Sequence, residues 1–179
     1  MTDKTNYAAR PEGTQPWIPL GGGSKDGYND GKEATATCFC GDIQLAFPVT
    51  KEGIKGTFVC HCTDCRKVSA SMFATNFTVH SDDLRYIRGA DKVKTYAQSK
   101  TIVEGNTMTN YFCPNCGSLL NRISSGTPTL NYVRVGAVDD LRLHDTLLKP
   151  EVEQFVDSRA KWLKPVQGVT QAHGMEYWK

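Results

Sequence analysis

Seven cysteines fall in three tight clusters, and this arrangement constrains the fold more than any other feature of the 179-residue chain. The clusters are Cys38/Cys40, Cys60/Cys62/Cys65 and Cys113/Cys116. Zinc binds thiolates in a tetrahedron with Zn–S distances of about 2.3 Å, which places the ligand sulfurs about 3.8 Å apart. Closely spaced cysteines on turns meet this geometry at little cost in chain entropy. The spacing therefore predicts zinc bound by reduced thiols.

The cysteine count and the N-terminal sequence argue against a secreted protein with disulfides. Seven is an odd number, and the first residues contain no apolar segment of the kind that directs export. No run approaches the roughly 20 apolar residues needed to cross a bilayer. We therefore expect a cytoplasmic protein without membrane association, whose cysteines are free to bind metal.

The seven ligands divide most naturally into a group of four and a group of three. The triplet Cys60/Cys62/Cys65 is compact enough in sequence to form a metal site by itself. The pairs Cys38/Cys40 and Cys113/Cys116 are then left to share a second metal ion. Structural zinc is usually closed by four protein ligands, whereas reactive zinc keeps one position open. We expect two zinc ions per chain, a closed structural site on Cys38, Cys40, Cys113 and Cys116 and an open catalytic site on Cys60, Cys62 and Cys65.

Three residues beside the open site bear on its character. His61 is the alternative fourth ligand, which would make this site structural too. The middle residue of an extended Cys-x-Cys segment points away from its neighbours, so we expect His61 to face solvent or to pack on another group. A cation beside a thiolate cluster lowers thiol pKa values and holds an anionic substrate. We therefore expect Arg66 to act in catalysis and in cofactor binding, and Lys67 to lie at the surface.

Short runs rich in β-branched and aromatic residues predict a mainly β protein with an antiparallel core. Strands are expected over residues 43–47, 56–60, 73–79, 84–87, 107–112, 119–123 and 130–135, with turn residues between them. Helix is expected only as short turns, one around residues 63–68 with Thr63 or Asp64 as its cap, and one around residues 152–162.

Composition divides the chain into three segments. Residues 1–34 are rich in Gly, Pro, Asp, Asn and Lys and predict an irregular arm. The apolar cluster of this arm, at residues 17–20, is predicted with equal weight to pack on the domain or to extend from it. Residues 35–163 form the predicted zinc-binding domain, and residues 164–179 form a C-terminal tail.

The three clusters, taken in order, resemble the family of glutathione-dependent formaldehyde-activating enzymes, which includes centromere protein V. The similarity covers about residues 35–163, and Ala70 stands near a position where the family often has glycine. The motifs that carry it are Cys38-x-Cys40-Gly41, Cys60-His61-Cys62-x-x-Cys65-Arg66, Cys113-x-x-Cys116-Gly117-Ser118, and the later Pro150-Glu151 with Arg159 and Trp162.

The resemblance implies a β-tent fold with the same division of cysteines between a structural and a catalytic zinc. It also implies addition of a thiol such as glutathione to an aldehyde, or the reverse carbon–sulfur cleavage. We therefore expect a zinc-dependent carbon–sulfur lyase or synthase with glutathione as a cosubstrate. Aromatic candidates for its pocket are Phe73, Phe77 and Tyr111.

Two other functions stay open at the level of sequence. The first is a noncatalytic zinc module that binds a partner, and the second is a different lyase or cyclisation reaction on a small metabolite. The formal charge of +2 counts every cysteine as neutral, and seven thiolates on two zinc ions would bring it below zero. Basic residues are also dispersed rather than clustered. We therefore expect a small-molecule substrate and no nucleic acid.

Overall fold

The computed structural model describes residues 30–175. The apolar cluster predicted at residues 17–20 lies outside the described residues. Within them, no helix is long and apolar enough to span a membrane.

Eleven strands account for most of the regular structure in the described part of the chain. In chain order they are β1 (Glu33–Thr37), β2 (Gln44–Pro48), β3 (Ile54–Cys60), β4 (Ala74–His80), β5 (Arg85–Arg88), β6 (Lys94–Gln98), β7 (Met108–Phe112), β8 (Leu119–Ser124), β9 (Leu130–Arg134), β10 (Val152–Gln154) and β11 (Thr170–Ala172). The helices are short, α1 (Thr63–Ser69) and α2 (Arg142–Asp145), with 3₁₀ turns at Ser81–Asp83, Val135–Ala137 and Val156–Ser158. The predicted mainly β fold is confirmed.

The strands form two sheets. β1, β2 and β5 make a small antiparallel sheet, and the other eight strands form a larger one in the order β11-β10-β3-β4-β9-β8-β7-β6. β10 pairs in parallel with both β3 and β11, so the larger sheet is mixed. The predicted tail beyond residue 163 thus contributes a strand, β11, to one edge of this sheet.

Alternating apolar residues of both sheets build the main core, because successive side chains of a strand point to opposite faces. Phe47 of β2 and Phe77 of β4 are fully buried, with ring centroids 4.7 Å apart. Cys38 and Cys113 are buried in the same cluster. A second, smaller apolar cluster contains Cys60 and Cys65. Each group of cysteines is therefore built into a different part of the core.

The predicted helical turns have different outcomes. The turn predicted over residues 63–68 is α1, but its cap is the Cys62 sulfur, which accepts a hydrogen bond from the Cys65 amide at 3.3 Å. The predicted caps Thr63 and Asp64 are therefore wrong by one or two positions. The helix predicted over residues 152–162 is also wrong, since this segment holds β10 and a 3₁₀ turn. Pairing of β10 with β3 satisfies its backbone groups in place of a helix.

Candidate metal centres and active site

Four of the cysteines form one cluster in the structure, and this cluster joins the two sheets. Cys38 and Cys40 lie in the turn between β1 and β2, and Cys113 and Cys116 lie in the turn between β7 and β8. Their four sulfurs lie within 4.8 Å of one another. The Cys38–Cys40 and Cys40–Cys113 sulfur separations are 3.5 and 3.7 Å, close to the edge of a zinc–thiolate tetrahedron.

Two glycines shape the turns that carry these sulfurs. Gly41 and Gly117 have φ values of 84° and 75°, in the left-handed region that favours glycine. The resulting turns aim backbone amides at the cluster, and the Ile43 amide donates to the Cys38 sulfur at 3.2 Å. Ser118 connects both turns, because its hydroxyl oxygen accepts from the Phe39 amide at 3.0 Å and contacts the Cys116 sulfur at 3.3 Å. Such outer contacts fix the direction of metal ligands.

The donor set of this cluster fits a closed zinc site. Burial raises the pKa of the Cys38 thiol to about 12, so the protein alone does not hold this sulfur as a thiolate at neutral pH. A divalent cation at the centre supplies the opposing charge that four adjacent thiolates require.

The other three cysteines form a second cluster, which lies where β3, an inner strand of the large sheet, ends. Cys60 is the last residue of β3, and Cys62 and Cys65 cap and begin α1. The three sulfurs lie within 4.8 Å of one another, and among residues 30–175 no histidine or carboxylate joins them. This group is therefore a set of three, as the sequence predicts.

His61 is buried and bonded to a carboxylate instead of joining the sulfurs. Its Nε2 lies 2.6 Å from Oε1 of Glu153, and both side chains are almost fully buried. The ring packs edge-on against Phe73, with centroids 5.9 Å apart. Of the two positions expected for His61, solvent and another group, the second is confirmed.

Glu153 is the centre of a buried hydrogen-bond network that includes His61. Besides His61, it contacts three groups of the C-terminal segment: the Val166 amide at 3.0 Å, Gln171 Nε2 at 2.7 Å and Arg159 Nη1 at 3.2 Å. Burial alone raises the pKa of this carboxyl, but the hydrogen bonds outweigh burial and lower it to about 2. Glu153 is therefore ionised. Its carboxylate links β10, β11 and the segment between them to His61, which lies between Cys60 and Cys62.

Two buried arginines near the three-cysteine cluster were not predicted from the sequence. Arg122 of β8 and Arg134 of β9 are 6% and 7% exposed. Arg122 Nη1 donates to the Cys65 sulfur at 3.5 Å, and Arg134 Nη1 donates to Oδ1 of Asn76 at 2.7 Å. Within the described part of the chain, neither guanidinium forms an ion pair with a carboxylate. Two buried cations need negative charge nearby, and the sulfur cluster supplies it.

The thiol pKa values show how far the protein alone ionises this cluster. Hydrogen bonds with the other two sulfurs, opposed by burial, lower the pKa of Cys65, and the charges of the two arginines lower it further. Hydrogen bonds within the cluster, and then burial, raise the pKa of Cys60. The surroundings thus favour one thiolate, and a bound dication is needed for three. The three-sulfur donor set fits zinc on this ground.

A cavity of about 760 Å³ opens over the three-cysteine cluster. All three cysteines and Arg122 line it, together with Asp64 and Lys67 of α1. Its volume lies within the range of small-molecule sites. The position left open by the three sulfurs therefore borders a space that a ligand can fill.

Other predicted site residues lie at different places. Arg66 donates from Nη1 to the Ser158 carbonyl at 3.1 Å, and it is not among the residues that line the cavity, whereas Ser158 is. Phe77 is in the main core, and Phe73 packs on His61. The aromatic side chains that line the cavity are instead Phe58, Tyr132 and Phe155.

The family model described as glutathione-dependent formaldehyde-activating enzyme matches residues 33–158, which include both cysteine clusters. The chain belongs to this family. A crystal structure of a Rhodobacter sphaeroides protein is similar, with a TM-score of 0.47 and 22% sequence identity, and the match covers 62% of this chain and 93% of that one. The comparison with curated proteins found no match. Both cysteine clusters therefore belong to a chain whose family is named for glutathione, a thiol, and formaldehyde, an aldehyde.

Proposed function

We propose that this protein is a zinc-dependent enzyme that forms or breaks a carbon–sulfur bond between a thiol, such as glutathione, and an aldehyde carbon. The observation that carries the proposal is the three-cysteine cluster at the wall of a ligand-sized cavity, with no fourth protein ligand among the described residues. A family named for glutathione and formaldehyde supports the same chemistry. The reduced cysteines fit a cytoplasmic setting.

The two clusters have different roles in this proposal. Cys38, Cys40, Cys113 and Cys116 would hold a structural zinc, because they close all four positions and connect the two sheets. Cys60, Cys62 and Cys65 would hold the catalytic zinc. When bound there, zinc lowers the pKa of an incoming thiol and favours its thiolate form.

The buried arginines determine which ligand the open position prefers. Three thiolates on a zinc dication carry a net charge of −1, and Arg122 and Arg134 bring two positive charges to the same region. The sum is positive, so an anionic fourth ligand is favoured over a neutral one. We therefore assign Arg122 to stabilising a substrate thiolate beside Cys65.

The reaction follows from a thiolate held in the cavity beside an aldehyde. A sulfur lone pair forms the new C–S bond, the carbonyl π bond breaks, and its electron pair moves to oxygen, which takes up a proton equivalent to the one that the thiol lost on forming the thiolate. In the reverse direction the hydroxyl loses its proton, the carbonyl re-forms, and sulfur leaves with the C–S electron pair. Arg122 stabilises the thiolate as nucleophile in one direction and as leaving group in the other.

Where the thiol carries a carboxylate, as glutathione does, Arg66 stays its proposed binding residue. Its guanidinium lies against Ser158, and Ser158 lines the cavity, so a ligand that extends past this wall approaches Arg66. Bidentate hydrogen bonds from a guanidinium suit a carboxylate.

A thiol–aldehyde exchange assay tests the proposal. Zinc-loaded protein is mixed with glutathione and formaldehyde, and the exchange between free and thiol-bound formaldehyde is followed by NMR. We expect faster exchange with wild-type protein and no acceleration with Cys62→Ser, which removes one ligand of the open site. If zinc-loaded wild-type protein neither binds a thiol nor accelerates exchange, the noncatalytic zinc module is the better description.

A further inference from the structure

The walls of the cavity over the three-cysteine cluster are mostly apolar, although glutathione carries several charges. Apolar residues contribute from six separate parts of the chain: Phe58, Ile102 and Val103, Met108, Tyr132, Phe155, and Met175. Phe58 and Tyr132 pack edge to face with centroids 6.2 Å apart. Tyr132 and Phe155 pack against the apolar cluster that contains Cys60 and Cys65. An aromatic surface therefore begins directly beside the sulfurs.

Two of the polar side chains on these walls, Tyr132 and Asp64, are already bonded within the protein. The Tyr132 hydroxyl pairs with the Thr127 hydroxyl at 2.9 Å. The Asp64 carboxylate accepts from Thr101 Oγ1 at 2.6 Å and from Gln98 Nε2 at 3.1 Å. A charged group of a ligand placed at Tyr132 or Asp64 would have to displace these bonds or lose its hydration without replacement, and both are costly.

Phe155, on the wall of the cavity, has a strained backbone. Its φ is 56°, in the left-handed region that is unfavourable for a bulky residue. Among the described residues, Ala70 is the other non-glycine residue with positive φ. Strain of this kind persists where the surrounding structure imposes it, and it concentrates at ligand sites. A glycine would adopt this backbone without strain but would leave no ring on the cavity wall.

From these observations we propose that the ligand of this site is a thiol, or a thiol–aldehyde adduct, whose body is apolar, of the size of a benzyl or short branched alkyl group. The inference rests on the proposed function, since it takes the sulfur of the ligand to lie at the three-cysteine cluster. Phe155 is the specificity-determining residue. The apolar body packs against Phe155, Tyr132 and Phe58, while Arg122 faces the sulfur end.

Calorimetric titration of zinc-loaded protein with three thiols tests this assignment. The probes are phenylmethanethiol, 2-mercaptoethanol and glutathione. We expect phenylmethanethiol to bind at least about tenfold more tightly than 2-mercaptoethanol, because each buried methylene is worth about fourfold in affinity. Glutathione is expected to bind more weakly than phenylmethanethiol.

Phe155→Gly separates a specificity role from a structural one. It removes the ring and also relieves backbone strain, so we expect the folded protein to persist. Affinity for phenylmethanethiol should fall about tenfold, while 2-mercaptoethanol changes less than about twofold. The control is Ala70→Gly, which relieves the same kind of strain away from the cavity and should leave both affinities unchanged.

The possible failures are distinct. If thiols bind but phenylmethanethiol has no advantage, or if glutathione binds most tightly, the apolar ligand class is wrong and the proposed function stands. If Phe155→Gly weakens both small thiols equally, Phe155 does not determine specificity. If no thiol binds to zinc-loaded wild-type protein, the proposed function fails, and this inference fails with it.

Discussion

Replacement of Glu153 by glutamine should destabilise the protein substantially, because this carboxylate is buried and held by four hydrogen-bonding groups. The pKa of Glu153 is lowered from 4.5 to about 2. One pKa unit corresponds to about 1.4 kcal/mol, so the ionised form is favoured in the folded state by on the order of 3 kcal/mol. Glutamine resembles the protonated carboxyl in shape and charge. We therefore expect the free energy of unfolding at pH 7 to fall by roughly 3 kcal/mol.

Urea unfolding of zinc-loaded wild-type and variant proteins, followed by circular dichroism, measures this difference. Glu151→Gln is the matched control, since Glu151 is exposed and should change stability by less than about 0.5 kcal/mol. A loss below about 1 kcal/mol for Glu153→Gln, or an equal loss in the control, would refute the reasoning.

The difference in free energy of unfolding between wild type and Glu153→Gln should depend on pH. Because the folded-state pKa is depressed, the stabilisation is fully present above the ordinary value of 4.5 and is lost as the pH falls toward 2. The stability gap between wild type and Glu153→Gln should therefore narrow over that window. Acid also protonates the metal ligands, but this affects both proteins and cancels in the difference. A gap that widens with acid would contradict the assigned sign.

Three further predictions concern the clusters and the strained helix end. Cys62→Ser should reduce zinc from about two to about one per chain and leave the domain folded, whereas Cys116→Ser should unfold the domain, because structural zinc contributes folding energy. Equal unfolding of both variants in thermal melts would make both sites structural. Arg122→Met should weaken thiol binding to cobalt-substituted protein by at least about tenfold, whereas Arg85→Met, which removes an exposed cation, should not. If the thiol-dependent absorption of cobalt-substituted Arg122→Met equals that of the wild type, Arg122 does not contribute to thiol binding. Ala70→Gly should raise the free energy of unfolding by about 0.5–1 kcal/mol, since Ala70 ends α1 with φ of 49°, and a loss of stability in urea would contradict this.

The cysteine grouping could be predicted because most of its information is local. Cys60, Cys62 and Cys65 lie at the end of one strand and the start of one helix, so their spacing alone brings the sulfurs together. Once these three cysteines are assigned to one site, Cys38, Cys40, Cys113 and Cys116 remain to form the other. Strand positions such as β4 and β8 were predictable for the same reason, since residue type and alternation identify them.

The buried charges could not be predicted because they depend on pairing between distant segments. Arg134 lies opposite Asn76 in the pairing of β9 with β4, and Arg122 lies opposite Tyr132 in the pairing of β8 with β9. Glu153 reaches His61 only because β10 pairs with β3, which is about ninety residues earlier in the chain. One signal was available in the sequence, since Arg122 lies within the predicted strand 119–123 and Arg134 within the predicted strand 130–135. A charged residue is rarely buried unless it has a partner, so a charged residue within a predicted core strand marks a candidate site.

A crystal structure of the zinc-loaded protein soaked with a small thiol tests the central claim most directly. We predict two zinc ions per chain, one enclosed by Cys38, Cys40, Cys113 and Cys116. The second ion should be held by Cys60, Cys62 and Cys65, with the thiol sulfur about 2.3 Å away as its fourth ligand. A second zinc closed by His61, or one that never accepts an external sulfur, would contradict it.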